Sequence, residues 1–202
     1  MNLIKTNKPS NVTVDFKTYD ISSMDGEILN KLSNSLIEEI NSRSIHYIII
    51  DYKMLSERNN ISGVDIVNHL RKIVKEFPMV ILTQRSAECI DNTDMDPDKI
   101  YDKQHFLKCE SDYSKNAVLK IFKNIERYSS HTDTLTQKIV QLKKERIDDS
   151  NNIEILKELI ELESELDEYM PIEQSEINKV FDSNSLKEIV SLIEQANKLL
   201  GE

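Results

Sequence analysis

The 202-residue chain has only three glycines and four prolines, and no tryptophan. Those counts exclude collagen-like, linker-like and low-complexity architectures. So few glycines also make a backbone cradle for nucleotide phosphates hard to build. Neither a Gly-rich phosphate loop nor a nucleophile elbow occurs in the sequence. An independent metabolic enzyme is therefore not expected. The two cysteines, Cys89 and Cys109, give no disulfide framework and no metal-ligand spacing. Four histidines with no close pair argue against a zinc site. No apolar run approaches the roughly 18–20 residues that span a bilayer. Residues 1–10 lack the apolar stretch of a signal peptide and read as an N-terminal tail. The expectation is a reduced, cytoplasmic protein.

What the chain does have is charge. Hydrophobic residues make up 39% and charged residues 31%, with a net charge of −10. The charge is unevenly placed: residues 128–202 carry 17 acidic against 8 basic side chains, so the rest is nearly neutral. An acidic body without a basic stripe repels phosphate backbones and anionic lipids. Neither nucleic acid nor membrane is an expected partner.

The pattern changes character near residue 128, which divides an α/β region (residues 11–128) from an acidic helical region (residues 129–202). Residues 11–20 alternate weakly and are rich in β-branched and aromatic side chains, which predicts a strand or strand pair. Ile28, Leu32, Leu36 and Ile40 form one helical stripe. Residues 46–51 and 78–83 are near-continuous apolar runs of the kind buried on both faces of a parallel sheet. Ser62 and Asp65 have the Ser-x-x-acid form of a helix start. The helix that follows carries Ile66, Val67, Leu70, Ile73 and Val74 on one face. Residues 86–96 are a polar stretch that can hold a short helix around Cys89, where an exposed thiol is expected. Residues 99–103 read as a short strand, and residues 115–128 as an amphipathic helix.

Alternating strands and helices predict a three-layer, mainly parallel sheet of about four or five strands. Beyond it, Leu135, Ile139 and Leu142 begin a stripe that Ile155, Leu159, Leu162, Leu166 and Tyr169 continue with heptad-type spacing. The polar break at residues 148–152 between them predicts a helical hairpin or bundle. Leu186, Ile189, Ile193, Ala196 and Leu200 mark a last helix. The stripe suits intramolecular packing, docking of a protein partner, or a homodimer.

Chemistry in an open parallel sheet gathers at the carboxyl ends of the strands. Three strand candidates end in Asp51, Thr83 and Lys103. A carboxylate, a hydroxyl and an ammonium brought together there can hold a phosphoryl group: the carboxylate as nucleophile, the hydroxyl as hydrogen-bond donor, the ammonium as counter-charge.

Residues 47–54, 63–71, 78–83 and 100–103, taken in that order, resemble the receiver domain of two-component response regulators over roughly residues 46–127. The resemblance implies a receiver or flavodoxin-like fold, with Asp51 as phosphoacceptor, Thr83 as the hydroxyl that senses the phosphoryl group and Lys103 as its counter-charge. It also implies Mg²⁺, held in that family by paired acids at the end of the first strand together with the acceptor. The sequence departs from the family here. Asp15 ends the first strand candidate but is followed by Phe16, and Asp20 stands alone. Asp51 and Asp15 are the carboxylates left for the metal. Without the acid pair, Mg²⁺ at Asp51 would have that single carboxylate and mostly waters, so the phosphoryl charge would be poorly compensated and transfer slow or absent. The departure favours a pseudo-receiver, a protein-interaction platform that keeps the fold without the chemistry. Partners would then dock on the helical tail or on the face beside Lys103.

Two other readings remain. Ser62 and Gly63 precede a helix after a strand and loop, as does the phosphorylated serine of the anti-sigma-factor antagonist (STAS) family. That would make the protein a binding switch phosphorylated on Ser62. The other is a structural adaptor that only presents the helical tail.

Overall fold

A computed structural model describes residues 2–19, 28–52, 62–91, 95–108, 110–148, 152–170, 191, 192 and 195. The chain divides into two compact units, Met1–Tyr128 and Ser129–Glu202.

The first unit is built around three short strands: β1 (Ile48–Asp51), β2 (Met79–Thr83) and β3 (Ile100–Asp102). They form one parallel sheet in the order β1-β2-β3. Parallel neighbours need crossover connections. Helix α3 (Gly63–Ile73) lies between β1 and β2 in the chain, and the short helix α4 (Ser86–Asp91) between β2 and β3. Helices α1 (Asn2–Asn7) and α2 (Ile28–Asn41) precede the sheet, and α5 (Lys103–Phe106) and α6 (Asp112–Asp148) follow it.

The alternation of side chains along each strand sorts the core into two clusters. Ile50, Met79, Ile81 and Ile100 join Leu32, Leu36 and Ile40 of α2 and Ile66, Val67 and Leu70 of α3. Val80 and Tyr101 point the other way, into a cluster with Leu3 and Ile4 of α1 and Ala117, Val118 and Ile121 of α6. Helices thus pack on both faces of the sheet and bury central β2 throughout, while edge strand β1 leaves Ile49 exposed on one face, against the expectation that it is buried on both. Tyr47 and Tyr101 are pressed into this second side. Burial raises both phenols, Tyr101 to about 12.

Three expectations are corrected within this unit, and one is met in part. The sheet is parallel as expected, with three strands among the described residues where about four or five were expected. Residues 12–19 form no strand: Val14 and Phe16 pack on the α6 side, while Tyr19 packs on the α2 side. Their β-branched and aromatic alternation favours an extended backbone, but side chains replace the ladder as the anchor. Lys17 pairs with Glu39 of α2 at 2.5 Å, and the Tyr19 hydroxyl donates to the same carboxylate. The N-terminal tail is a helix, because Leu3 and Ile4 find a place in the core, at 3% and 6% exposure. Cys89 is fully buried, not exposed, and burial raises its thiol above the ordinary range, with Glu88 adding to the effect.

The Glu39 clasp has a pH signature. Burial works against its charge, but the hydrogen bonds from Lys17 and Tyr19 outweigh burial and hold the carboxyl below its ordinary 4.5. A depressed folded-state pKa gives stabilisation that is full above the unfolded value and is lost as pH falls through the folded one. Amide protection in residues 12–19, taken relative to intrinsic exchange rates, is therefore expected to fall as the pH drops below the ordinary carboxyl value of 4.5. Glu39→Gln should show the lower protection already at neutral pH; equal protection in both proteins would remove the clasp from the account.

In the second unit the later turns of α6 and helix α7 (Ile153–Tyr169) form the expected hairpin. Leu135, Ile139, Leu159 and Leu166 are buried together, with Leu142, Ile155, Leu162 and Tyr169 packed beside them. Asn152 caps α7, its side-chain oxygen accepting from the backbone N–H groups of Glu154 (3.1 Å) and Ile155 (3.2 Å). Lys143 pairs with Glu163 at 2.7 Å, and His131 meets Glu165 at 3.0 Å with its ring 4.6 Å from that of Tyr169. The last helix, expected from Leu186 to Leu200, lies outside the described residues, apart from residues 191, 192 and 195, which are helical. No described helix is long and apolar enough to cross a membrane.

Candidate functional site

The parallel register sets the three strand ends level, with Asp51 opposite Leu82 and Thr83 opposite Asp102. Each end is then fixed by a local device. Beyond β1, the Gly63 N–H donates to the Tyr52 carbonyl at 3.0 Å, so the start of α3 lies directly on the Asp51–Tyr52 backbone. A Cβ on Gly63 would stand 2.3 Å from the Asp51 carbonyl oxygen. Only a residue without Cβ fits there. α3 itself starts with a complete capping box: the Ser62 hydroxyl accepts from the Asp65 N–H (3.2 Å), and the Asp65 carboxylate accepts from the Ser62 N–H (2.7 Å).

Beyond β2, Thr83 is 2% exposed, and its hydroxyl oxygen accepts from the Arg85 N–H at 2.9 Å. That bond turns the chain and fixes the Arg85 backbone. Beyond β3, Asp102 caps α5 by accepting from the His105 N–H at 2.8 Å. This bond, with the His105 ring at 2.9 Å, holds the Asp102 carboxyl below its ordinary range. The cap converts strand to helix at once and makes Lys103 the first helical residue.

The result is a cavity of about 310 Å³ lined by Asp51, Thr83, Gln84, Arg85 and Lys103. The Lys103 ammonium donates to the Asp51 carboxylate in a direct ion pair. Residues 51, 83 and 103, far apart in the chain, thus stand in one place. Asp15 does not join them. It is exposed in the segment before α2 and is not among the residues lining the cavity. Ser62 does not line the cavity either, and its hydroxyl is engaged in the cap of α3.

The lining fits Mg²⁺ poorly. The ion needs near-octahedral oxygen ligation, usually from more than one anionic group. Among the described residues the cavity offers one carboxylate, already facing an ammonium whose charge repels a dication. No cluster of three or more His, Cys, Asp or Glu side chains able to hold a metal occurs among the described residues.

Sequence reasoning missed Gln84, Arg85, Glu88 and Tyr52. Arg85 binds Glu88 at 3.0 Å, and the Tyr52 hydroxyl donates to the other oxygen of Glu88 at 3.4 Å. The available signal was position alone: Gln84 and Arg85 directly follow a strand-ending Thr83, and Tyr52 directly follows Asp51.

Compared with known proteins, the chain matches no family model, no curated protein and no solved structure.

Proposed function

We propose that this chain is a regulatory protein-interaction module: a receiver-like α/β domain that has kept the strand-end constellation without its metal-dependent chemistry, joined to an acidic helical hairpin. One observation carries the reading. Asp51 stands at the carboxyl edge of a parallel sheet with Thr83 and Lys103 in the same cavity, and its carboxylate is held by Lys103. The constellation supports descent from a phosphoacceptor site. The lack of a second carboxylate among the described lining residues supports loss of rapid transfer.

In this reading the domain presents the face beside Lys103, and the hairpin binds a protein partner or a second copy of the chain. The acidity of residues 128–202 favours a partner with a basic surface. The engaged hydroxyl of Ser62 weighs against the serine-phosphorylated alternative, because esterification would break the cap and set a phosphate beside Asp65.

The test is the mass of the intact chain after incubation with a small-molecule acyl phosphate and Mg²⁺. No adduct is expected. A single phosphoryl adduct that hydroxylamine removes and Asp51→Asn abolishes would instead make this a working receiver. An acid-stable adduct on Ser62 would revive the switch reading.

A further inference from the structure

We infer that one side of the helical hairpin, the apolar groove between Val140 and Ile147 of α6 and Ile153, Leu156 and Ile160 of α7, docks a basic amphipathic helix of a partner protein. The inference rests on the interaction-module reading above and names the face and the class of partner.

The groove follows from helix spacing. Val140, Lys143 and Ile147 are three and four residues apart, so they form one row along α6. Ile153, Leu156, Ile160 and Glu163 form one row along α7 for the same reason. The Lys143–Glu163 ion pair, at 2.7 Å, joins the two rows and sets them side by side. Ile147 and Ile160 each stand one turn from that pair towards the loop, so they come level across the groove.

The five apolar side chains are not the hairpin's own core. That core is Leu135, Ile139, Leu159 and Leu166 with the side chains packed beside them, and none of the five belongs to it. Val140 is 48% exposed and Ile147 is 82% exposed. Ile153, Leu156 and Ile160 are half-buried. Single exposed apolar residues need no explanation, but five on two adjoining rows make a contiguous patch, the mark of an interaction site. Two helical ridges with a furrow between them suit a third helix, which enters with apolar anchors at i, i+3, i+4 and i+7.

Charge selects the occupant. α7 carries seven acidic side chains and one lysine. A second copy docked through this helix would set one such array against another, which like charges oppose. Residues 186–200 of the chain itself hold two lysines and two glutamates, so the acids give them no advantage. A basic amphipathic helix gains twice: its apolar face covers the groove, and its cations meet the carboxylates of α7.

The test is a fluorescence anisotropy titration of the full chain against a labelled synthetic helix of about 18 residues, with leucines at i, i+3, i+4 and i+7 and lysines on its flanks. Saturable binding is expected. A scrambled peptide of the same composition should bind about tenfold more weakly or worse, as should one with glutamates in place of the lysines. The double variant Val140→Gln, Ile147→Gln should weaken binding about tenfold. Both positions are exposed, so its helix content by circular dichroism should match wild type. Raising salt from about 50 to about 500 mM should weaken binding to the wild type. No saturable binding, equal affinity for the scrambled peptide, or an unaffected double variant would overturn the inference. So would a chain that sediments as a dimer and becomes a monomer in the double variant, since a second copy then fills the groove. So would peptide binding that tightens about tenfold in the full chain carrying Ile189→Asp and Ile193→Asp, since the chain's own last segment then fills it. The mass assay judges the pseudo-receiver reading separately. A phosphoryl adduct on Asp51 would overturn that reading and leave the groove standing, whereas a failed titration with no adduct would remove the groove alone.

Discussion

Gly63→Ala is expected to destabilise the α/β unit by about 1–3 kcal/mol and to loosen the Asp51–Lys103 pair. The added methyl would meet the Asp51 carbonyl oxygen at 2.3 Å and Ile50 Cγ2 at 2.9 Å. The first contact is backbone and cannot rotate away. Either α3 backs off, giving up the Gly63–Tyr52 hydrogen bond, or the end of β1 moves. In both cases the strand end that carries Asp51 shifts relative to Lys103. Denaturant unfolding measures the first effect, and the NMR signals of Asp51 and Lys103 report the second. A variant as stable as wild type, with those signals unmoved, would show that α3 does not hold the site.

Phe77→Ala is expected to be costlier, at about 3–5 kcal/mol. Phe77 is 2% exposed in the connection between α3 and β2, and it meets Tyr128 edge-on, with ring centroids 5.2 Å apart at 78°. It belongs to the cluster that joins α2 and α3 to the sheet. Truncation leaves a cavity in a close-packed core and removes an aromatic pair. Phe77→Leu, which keeps most of the volume, should lose much less. Equal losses for the two variants would indicate that the site collapses around any smaller side chain.

Both variants act on parts of the fold that the sequence exposes unevenly. The runs ending at Asp51 and Thr83 were legible because strands of a covered parallel sheet are apolar throughout; central β2 is buried on both faces, whereas edge strand β1 buries Ile50 and leaves Ile49 exposed. The Ser62–Asp65 capping box was legible because capping is local chemistry at fixed spacing. So was the hairpin break, which Asn152 turns into a helix start. Residues 12–19 misled because alternation reports an extended backbone and not a pairing partner. What holds them is Glu39, in a helix that the sequence places separately. Helix α1 was missed because two adjacent apolar residues make no periodic pattern. Their burial depends on a surface formed by β2, β3 and α6. At the site, the strand-end residues were legible from topology. The Arg85–Glu88–Tyr52 group was not, since its members acquire meaning only when the fold brings the Tyr52 side chain, just beyond β1, to Glu88 of α4.

The central claim is that Asp51 is held by Lys103 and does not act as a metal-binding acceptor. The most direct measurement is a Mg²⁺ titration followed at the carboxyl carbon of Asp51 by NMR. The account predicts no saturable shift at millimolar Mg²⁺, and a displaced signal in Lys103→Met without any metal. A saturable Mg²⁺-dependent shift at Asp51 in the wild-type chain would contradict it.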